Sequence, residues 1–124
     1  MSERSIMYSL RVEGSFSSAH NLRGYKGKCE DLHGHNWRVE LCVKSLDLDN
    51  IGMVLDFKFL KKRLSVILDK MDHKYLNKLT YFKRINPTSE NIARYIYSQL
   101  KNGIPELKSI TVWENSTSCA TYEE

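Results

Sequence analysis

The chain has 124 residues, which suffices for one domain with its own apolar core. Hydrophobic residues make up 41% of it and aromatic residues 10%, which excludes a disordered or low-complexity protein. No apolar run approaches the ~20 residues of a membrane span, and residues 1–10 lack the apolar stretch of a signal peptide. We therefore expect a cytoplasmic protein with a single domain, residues 1–124.

The charge is mildly positive, with 19 Lys and Arg against 15 Asp and Glu, a formal net charge of +4. These cations are scattered along the chain rather than gathered in one stripe, so we expect neither a nucleic-acid nor a membrane partner. A small polyanionic substrate would use the same surplus. The cysteines Cys29, Cys42 and Cys119 form no C-x-x-C pair, which argues against a disulfide framework and a cysteine-rich structural zinc site.

Two strands are predicted in the first third of the chain. Residues 8–13 alternate apolar and polar side chains, as a half-buried strand does. A polar stretch with glycines follows at residues 21–32. The residues at 35, 37, 39, 41 and 43 then share one face of a second strand. Residues 47–52 are typical of a turn.

Two helices and two further strands complete the chain. Phe57, Leu60, Leu64, Ile67 and Met71 recur at three- and four-residue steps, which predicts an amphipathic helix over residues 56–71 with Asp56 as its N-cap.

The second helix is predicted to begin at Pro87-Thr88 and to end before Gly103 and Pro105. Ile92, Ile96 and Leu100 would form its buried stripe. Residues 110–113 alternate as a third strand that ends near Glu114, and residues 119–122 form a short fourth strand.

The predicted order is ββααββ, an α+β fold with a four-stranded antiparallel sheet and both helices on one face. An open sheet of this kind leaves edge strands that need pairing or cover. Closing a barrel from the sheets of several subunits removes those edges, so we expect the protein to oligomerise.

The histidines provide the first chemical signal. His33 and His35 lie two residues apart at the start of a strand, so both rings project from the same face. A hairpin between the first two strands would bring His20 alongside them. Three neutral imidazoles with an open fourth position are what a catalytic zinc site requires. The alternative for an isolated His-x-His pair is a coincidence on a strand surface, and the third histidine favours metal binding.

Other residues are weaker candidates on their own. Cys29 lies in a polar loop just before His33, where a bound cation would favour its thiolate; Cys42 and Cys119 are interpreted as packing residues. In Asp72-His73 the carboxylate could orient the imidazole for proton transfer. Glu114 could receive paired N–H groups from a flat heterocycle. Each of these residues also has an ordinary interpretation: a solvated helix end for the pair, an exposed strand end for Glu114, and helix capping for Thr88 and Ser89.

Taken in order, these motifs resemble the 6-pyruvoyl-tetrahydropterin synthase and 6-carboxy-tetrahydropterin synthase family. The resemblance spans nearly the whole chain and rests on these segments: Phe16-Ser17-Ser18-Ala19-His20, Gly27-Lys28-Cys29, His33-Gly34-His35-Asn36, Asp72-His73-Lys74, Leu76-Asn77, Pro87-Thr88-Ser89-Glu90-Asn91-Ile92-Ala93, and Glu114 with Tyr122.

This resemblance implies a fold, a cofactor and a substrate. The fold would be the tunnelling fold, with subunits forming barrels, commonly a hexamer built from two trimers. The substrate would be 7,8-dihydroneopterin triphosphate, whose anionic tail suits the positive charge. The implied roles are zinc binding by His20, His33 and His35, proton transfer by Cys29, Asp72 and His73, pterin binding by Glu114, Thr88 and Ser89, and a contact between Lys28 and the tail.

The branch of the family depends on the segment before His33. Three residues between Cys29 and His33 resemble the branch that makes 6-carboxy-5,6,7,8-tetrahydropterin for the queuosine pathway, with loss of triphosphate and acetaldehyde. Glu30 resembles the catalytic glutamate of a branch that makes 6-hydroxymethyl-7,8-dihydropterin for folate synthesis, and members with both residues resemble bifunctional enzymes. The alternatives are a plain loop acid at Glu30, a 6-pyruvoyl-tetrahydropterin synthase, and a non-catalytic metal- or pterin-binding module.

Overall fold

The computed structural model describes residues 7–27 and 30–124. Lys28 and Cys29, two of the predicted site residues, lie outside the described residues, so their roles stay predictions. Within the described part of the chain, no helix combines the length and the apolar character that crossing a bilayer requires.

A four-stranded antiparallel sheet carries two helices, and this confirms the predicted α+β class and the ββααββ order. The strands lie in the order β1-β2-β3-β4. Short 3₁₀ turns lie at Leu76–Lys78, Thr80–Phe82 and Lys101–Gly103. The main elements in chain order are β1 (Tyr8–His20), β2 (His33–Ser45), α1 (Phe57–Asp69), α2 (Ser89–Leu100), β3 (Leu107–Trp113) and β4 (Cys119–Glu123).

The β1–β2 hairpin is longer than predicted, because β1 continues through residues 14–20 to His20. The two strands pair without a break from Tyr8 opposite Ser45 to His20 opposite His33. Gly14 concealed this continuation in the sequence, since glycine is uncommon in strands. A Cβ at Gly14 would lie 2.7 Å from Leu68 Cδ1, so the missing side chain lets α1 pack closely on β1.

Both helices begin as predicted. The Asp56 carboxylate caps α1 by accepting a hydrogen bond from Lys58 N at 2.8 Å, and Thr88 Oγ1 caps α2 by accepting one from Asn91 N at 3.1 Å. Phe57, the first residue of the apolar pattern that predicts α1, lies outside the core. Its side chain is 54% exposed, because it is the first residue of α1 and lines a surface groove.

The core lies between the helices and one face of the sheet. Helix α1 packs against β1, and α2 packs against β3 and β4. Cys42 is buried, as expected of a packing residue, whereas Cys119 is exposed and that interpretation is wrong. Cys119 lies on the exposed face of the edge strand β4, together with Thr121 and Glu123. The sheet contributes to the core the side chains of Val12, Phe16, Trp37, Val39, Leu41, Ile110 and Val112.

Candidate metal and active site

Three histidines converge at one end of the sheet, as the sequence predicts. His20 ends β1 and pairs with His33, which begins β2, while His35 pairs with Ser18. All three rings lie on the helix-covered face, since they continue the buried alternation of each strand. The residue after β3, Glu114, joins them from the neighbouring strand. One ligand atom from each of the four residues lies within 4.8 Å of all the others.

The donor atoms of this group point at one another. His20 Nε2 lies 3.0 Å from His33 Nε2, and Glu114 Oε1 lies 2.9 Å from His35 Nε2 and 3.5 Å from His20 Nε2. The contact between Glu114 and His35 is close but not aligned as a hydrogen bond, and among the described residues His35 Nε2 is buried without a hydrogen-bond partner. A buried polar atom of this kind is costly unless something binds it.

Backbone carbonyls fix the other nitrogen of two rings. His20 Nδ1 donates to Pro87 O at 2.8 Å, and His33 Nδ1 donates to Asp31 O at 2.9 Å. A carbonyl oxygen can only accept, so in the neutral rings both protons are on Nδ1 and both Nε2 atoms carry lone pairs. Two lone pairs facing each other at 3.0 Å repel unless a cation lies between them.

This donor set fits zinc. Imidazole nitrogens and a carboxylate are ordinary zinc ligands, and metal-bound histidines usually donate their other N–H to a carbonyl or carboxylate. Burial lowers the pKa of His35, and the neighbouring imidazoles of His20 and His33 act in the same direction, while Glu114 opposes them. The balance favours the neutral ring, the form that binds a metal.

Trp37 forms the floor of the histidine group. Its side chain is fully buried, and its ring centroid lies 4.9 Å from that of His20 and 5.2 Å from that of His35, both edge to face. Its indole nitrogen donates to Ser18 O at 3.3 Å. Trp37 therefore restricts both rings from below, and an apolar floor strengthens electrostatic interactions above it.

Glu114 lies within the ligand group, although the resemblance assigns it to the pterin. Its side chain is 34% exposed, so it is open to solvent on one side while one oxygen faces the imidazoles. A carboxylate in this position can bind a cation and can also accept hydrogen bonds from a flat heterocycle beside the metal.

Glu30 stands behind His33 rather than in the ligand group. Its Oε1 lies 3.7 Å from His33 Nδ1 and accepts a hydrogen bond from Leu22 N at 3.2 Å. Glu30 N donates in turn to Leu22 O at 2.9 Å. The carboxylate is thus held beside a predicted metal ligand by the backbone of the loop.

The side chains of Asp72 and His73 are in contact, which their adjacency in the sequence alone does not establish. His73 Nδ1 lies 2.9 Å from Asp72 Oδ2, and Asp72 Oδ1 accepts a hydrogen bond from Ser17 N at 2.8 Å. His73 has a φ of 55°, which is uncommon outside glycine and frequent at functional sites. The imidazole is 83% exposed, and neither residue belongs to the ligand group.

Asp72 should contribute to the fall of the free energy of unfolding at acid pH. Its pKa is held low, first by the Ser17 N–H and then by His73. Because the folded value lies below the unfolded value of ~3.9, the contribution is complete above that pH and is lost as pH falls through the folded pKa.

We expect wild type to exceed Asp72→Asn in free energy of unfolding at pH 7, and the difference to shrink below about pH 4. Urea unfolding of both proteins between pH 7 and pH 2 measures this. A difference that stays constant across the range would contradict it.

Thr88 and Ser89 lie where the second helix begins, next to the carbonyl that binds His20. Thr88 Oγ1 is the N-cap of α2, and Ser89 is the first helical residue. Their backbone lies next to the histidine group. The Thr88 hydroxyl already accepts the capping hydrogen bond from Asn91 N.

Sequence reasoning missed three contributions to this site. The carbonyls of Pro87 and Asp31 carry no signature, because every residue has a backbone carbonyl. Trp37 had a signal, since it lies two residues after His35 on the same strand face.

Comparisons with known proteins agree with this geometry. The family model described as 6-pyruvoyl tetrahydropterin synthase matches residues 9–124. A 6-carboxy-5,6,7,8-tetrahydropterin synthase of Synechocystis is 40% identical over 122 residues, covering 94% of this chain and 93% of the relative. A dihydroneopterin monophosphate aldolase of Pyrococcus furiosus is 34% identical over 105 residues, covering 82% and 85%.

Comparison with a solved structure identifies the fold. The 6-pyruvoyl tetrahydropterin synthase of Caenorhabditis elegans superimposes with a TM-score of 0.84 at 30% identity, and 99% of each chain is covered. This likeness confirms the tunnelling fold of the chain. The chain therefore belongs to the 6-pyruvoyl tetrahydropterin synthase family of enzymes.

Proposed function

We propose that this enzyme converts 7,8-dihydroneopterin triphosphate into 6-carboxy-5,6,7,8-tetrahydropterin, with loss of triphosphate and acetaldehyde. The atoms balance when a water molecule is consumed. The observation that carries the proposal is the convergence of His20, His33 and His35 on one point, with two Nε2 lone pairs 3.0 Å apart. The name of the Synechocystis relative supports this product.

The metal at this point is proposed to be zinc. His20, His33 and His35 would hold it, and Glu114 Oε1 is close enough to His35 Nε2, at 2.9 Å, to share the site. Bound zinc supplies Lewis acidity toward the side-chain oxygens of the substrate.

The remaining residues are proposed to bind the substrate and move protons. Cys29 removes a proton as a thiolate, and His73, oriented by Asp72, holds or returns one. The Glu114 carboxylate accepts N–H groups of the pterin with help from Thr88 and Ser89, while Lys28 contacts the triphosphate tail.

We propose that the working form is a cytoplasmic homo-oligomer, a hexamer built from two trimers, with each chain a single domain. The position of His73 supports a site completed by a second copy. Its imidazole is 83% exposed and lies outside the histidine group of its own chain, whereas proton transfer needs a group in contact with the substrate.

A second activity is favoured by one specific contact. Glu30 Oε1 lies 3.7 Å from His33 Nδ1, so a second proton-transfer group stands beside the metal ligands. Cleavage to 6-hydroxymethyl-7,8-dihydropterin is the corresponding reaction, and the Pyrococcus furiosus relative is named as an aldolase of a related pterin.

Product identification tests the proposal. Zinc-loaded protein is incubated with 7,8-dihydroneopterin triphosphate, and the pterins are separated and identified by mass, with acetaldehyde measured in parallel. We expect 6-carboxytetrahydropterin and acetaldehyde in equal amounts. Formation of the hydroxymethyl or the pyruvoyl pterin alone would contradict the proposed main product, and no turnover by zinc-loaded protein would contradict the proposed activity altogether.

A further inference from the structure

We infer that Asn86 and Arg23 are positioning residues of the metal centre, because they fix the Pro87 carbonyl that orients the ring of His20. The inference rests on the proposed metal site and concerns residues to which the resemblance gives no role. Neither side chain belongs to the ligand group, so both would act through Pro87 and His20.

The orientation of the His20 ring depends on the Pro87 carbonyl. The His20 side chain is only 3% exposed, and its Nδ1 donates to Pro87 O at 2.8 Å. This hydrogen bond keeps the proton on Nδ1 and directs the Nε2 lone pair toward the other ligands. A displaced Pro87 carbonyl would therefore free the ring to rotate or to change tautomer.

Hydrogen bonds of the neighbouring residues hold Pro87 in place. Pro87 lies between a 3₁₀ turn and α2, outside any strand or helix, so its position depends on its neighbours. Asn86 O accepts hydrogen bonds from Thr88 N at 2.9 Å and from Asn91 Nδ2 at 2.9 Å. These bonds fix the peptide group before Pro87, and the proline ring restricts the following φ.

The side chain of Asn86 is hydrogen-bonded to the segment that follows His20. Asn86 Oδ1 accepts from Arg23 N at 2.9 Å, and Asn86 Nδ2 donates to Arg23 O at 2.9 Å. One side-chain amide thus satisfies both backbone groups of Arg23. Because Arg23 is three residues after His20 and Asn86 directly precedes Pro87, this pair ties together the same two segments that His20 and Pro87 join.

The Arg23 side chain holds the rest of the loop in place. Its Nε donates to Asn86 Oδ1 at 3.2 Å, and its guanidinium donates to Lys83 O at 2.7 Å, to Ile85 O at 3.0 Å and to Phe82 O. A planar guanidinium can serve several carbonyls at once, and a lysine cannot reproduce this. Arg23 therefore acts as a clamp on residues 82–86.

The test is zinc affinity, measured by competition with a chromophoric chelator. We expect Asn86→Ala and Arg23→Lys to bind zinc more weakly than wild type, by up to the roughly tenfold that loss of an outer-shell partner such as the Pro87 carbonyl itself costs. Asn86→Asp keeps the acceptor for Arg23 and should recover part of the affinity. The matched control is Arg84→Ala, since Arg84 is an exposed side chain in the same loop, and its zinc affinity should equal that of wild type.

Thermal unfolding with and without zinc separates positioning from a purely structural role. Loss of positioning reduces the rise in Tm that zinc produces, whereas loss of loop stability lowers Tm equally in both conditions. Unchanged zinc affinity in Asn86→Ala and Arg23→Lys, with an equal fall in Tm, would overturn the inference. Should Asn86→Ala not fold, Asn86→Asp and Arg23→Lys are judged by the same criterion. A wild-type protein that binds no zinc would contradict the proposed metal site instead.

Discussion

Replacing His33 by alanine should abolish stoichiometric zinc binding and lower pterin turnover by more than about 100-fold, since loss of an outer-shell partner already costs 10–100-fold. His33 Nε2 faces His20 Nε2 at 3.0 Å, so its removal leaves two imidazoles and one carboxylate. Metal analysis of the purified variant, together with the pterin product assay, measures both effects.

His73→Ala is the matched control for this substitution. It also removes an imidazole, but that ring is 83% exposed and lies outside the ligand group. We expect His73→Ala to retain one zinc per chain and to lose turnover. Stoichiometric zinc in His33→Ala would refute the ligand assignment.

Replacing Cys29 and Glu30 one at a time should separate two product activities. Cys29→Ala should lower formation of the carboxy product by about 10²–10⁴-fold, the usual contribution of a proton-transfer group, and leave the hydroxymethyl product. Glu30→Ala should do the reverse. The ratio of the two pterins, measured under the same conditions for each variant, is the readout.

Two controls sharpen this comparison. Glu30→Gln removes the charge and the basic oxygen while keeping the shape, so it should match Glu30→Ala in product ratio if the carboxylate transfers a proton. Asp31→Ala removes the exposed neighbouring acid, whose side chain has no assigned role, and should leave the ratio unchanged. If Glu30→Ala changes neither product, Glu30 is a structural residue that holds Leu22, and the proposed second activity fails.

The histidine group could be predicted because strand geometry dictates it. Side chains two residues apart share a face, and a hairpin aligns its strand ends, so His20 had to approach His33 and His35. The same rule identified the face on which the rings lie. This rule did not predict the length of β1, because glycine is uncommon in strands and residues 14–20 are strand through their pairing with β2.

The contribution of Glu114 to the ligand group depends on a contact between two strands that both helices separate along the chain. Its position after β3 was predicted, but the 2.9 Å approach to His35 follows from the pairing of β2 with β3. Sequence spacing carries no information on that distance. The resemblance gave Glu114 a role in pterin binding, and the structure adds its proximity to the predicted metal ligands.

The residues that hold the metal ligands in position were the least predictable feature of the site. The Pro87 carbonyl, the amide of Asn86 and the guanidinium of Arg23 form their contacts through backbone atoms of distant segments. Such contacts leave no periodic pattern. Phe57 and Cys119 are exposed for different reasons: Phe57 lies at the first position of α1, where the core ends, and Cys119 lies on the exposed face of β4 with Thr121 and Glu123.

The central claim is that the histidine group binds the metal on which pterin conversion depends. The most direct measurement is turnover of 7,8-dihydroneopterin triphosphate by chelator-treated protein as zinc is added back. The account predicts no product without metal, a linear rise with added zinc, and saturation at one zinc per chain. Full turnover by metal-free protein, or saturation with no zinc bound at His20, His33 and His35, would contradict it.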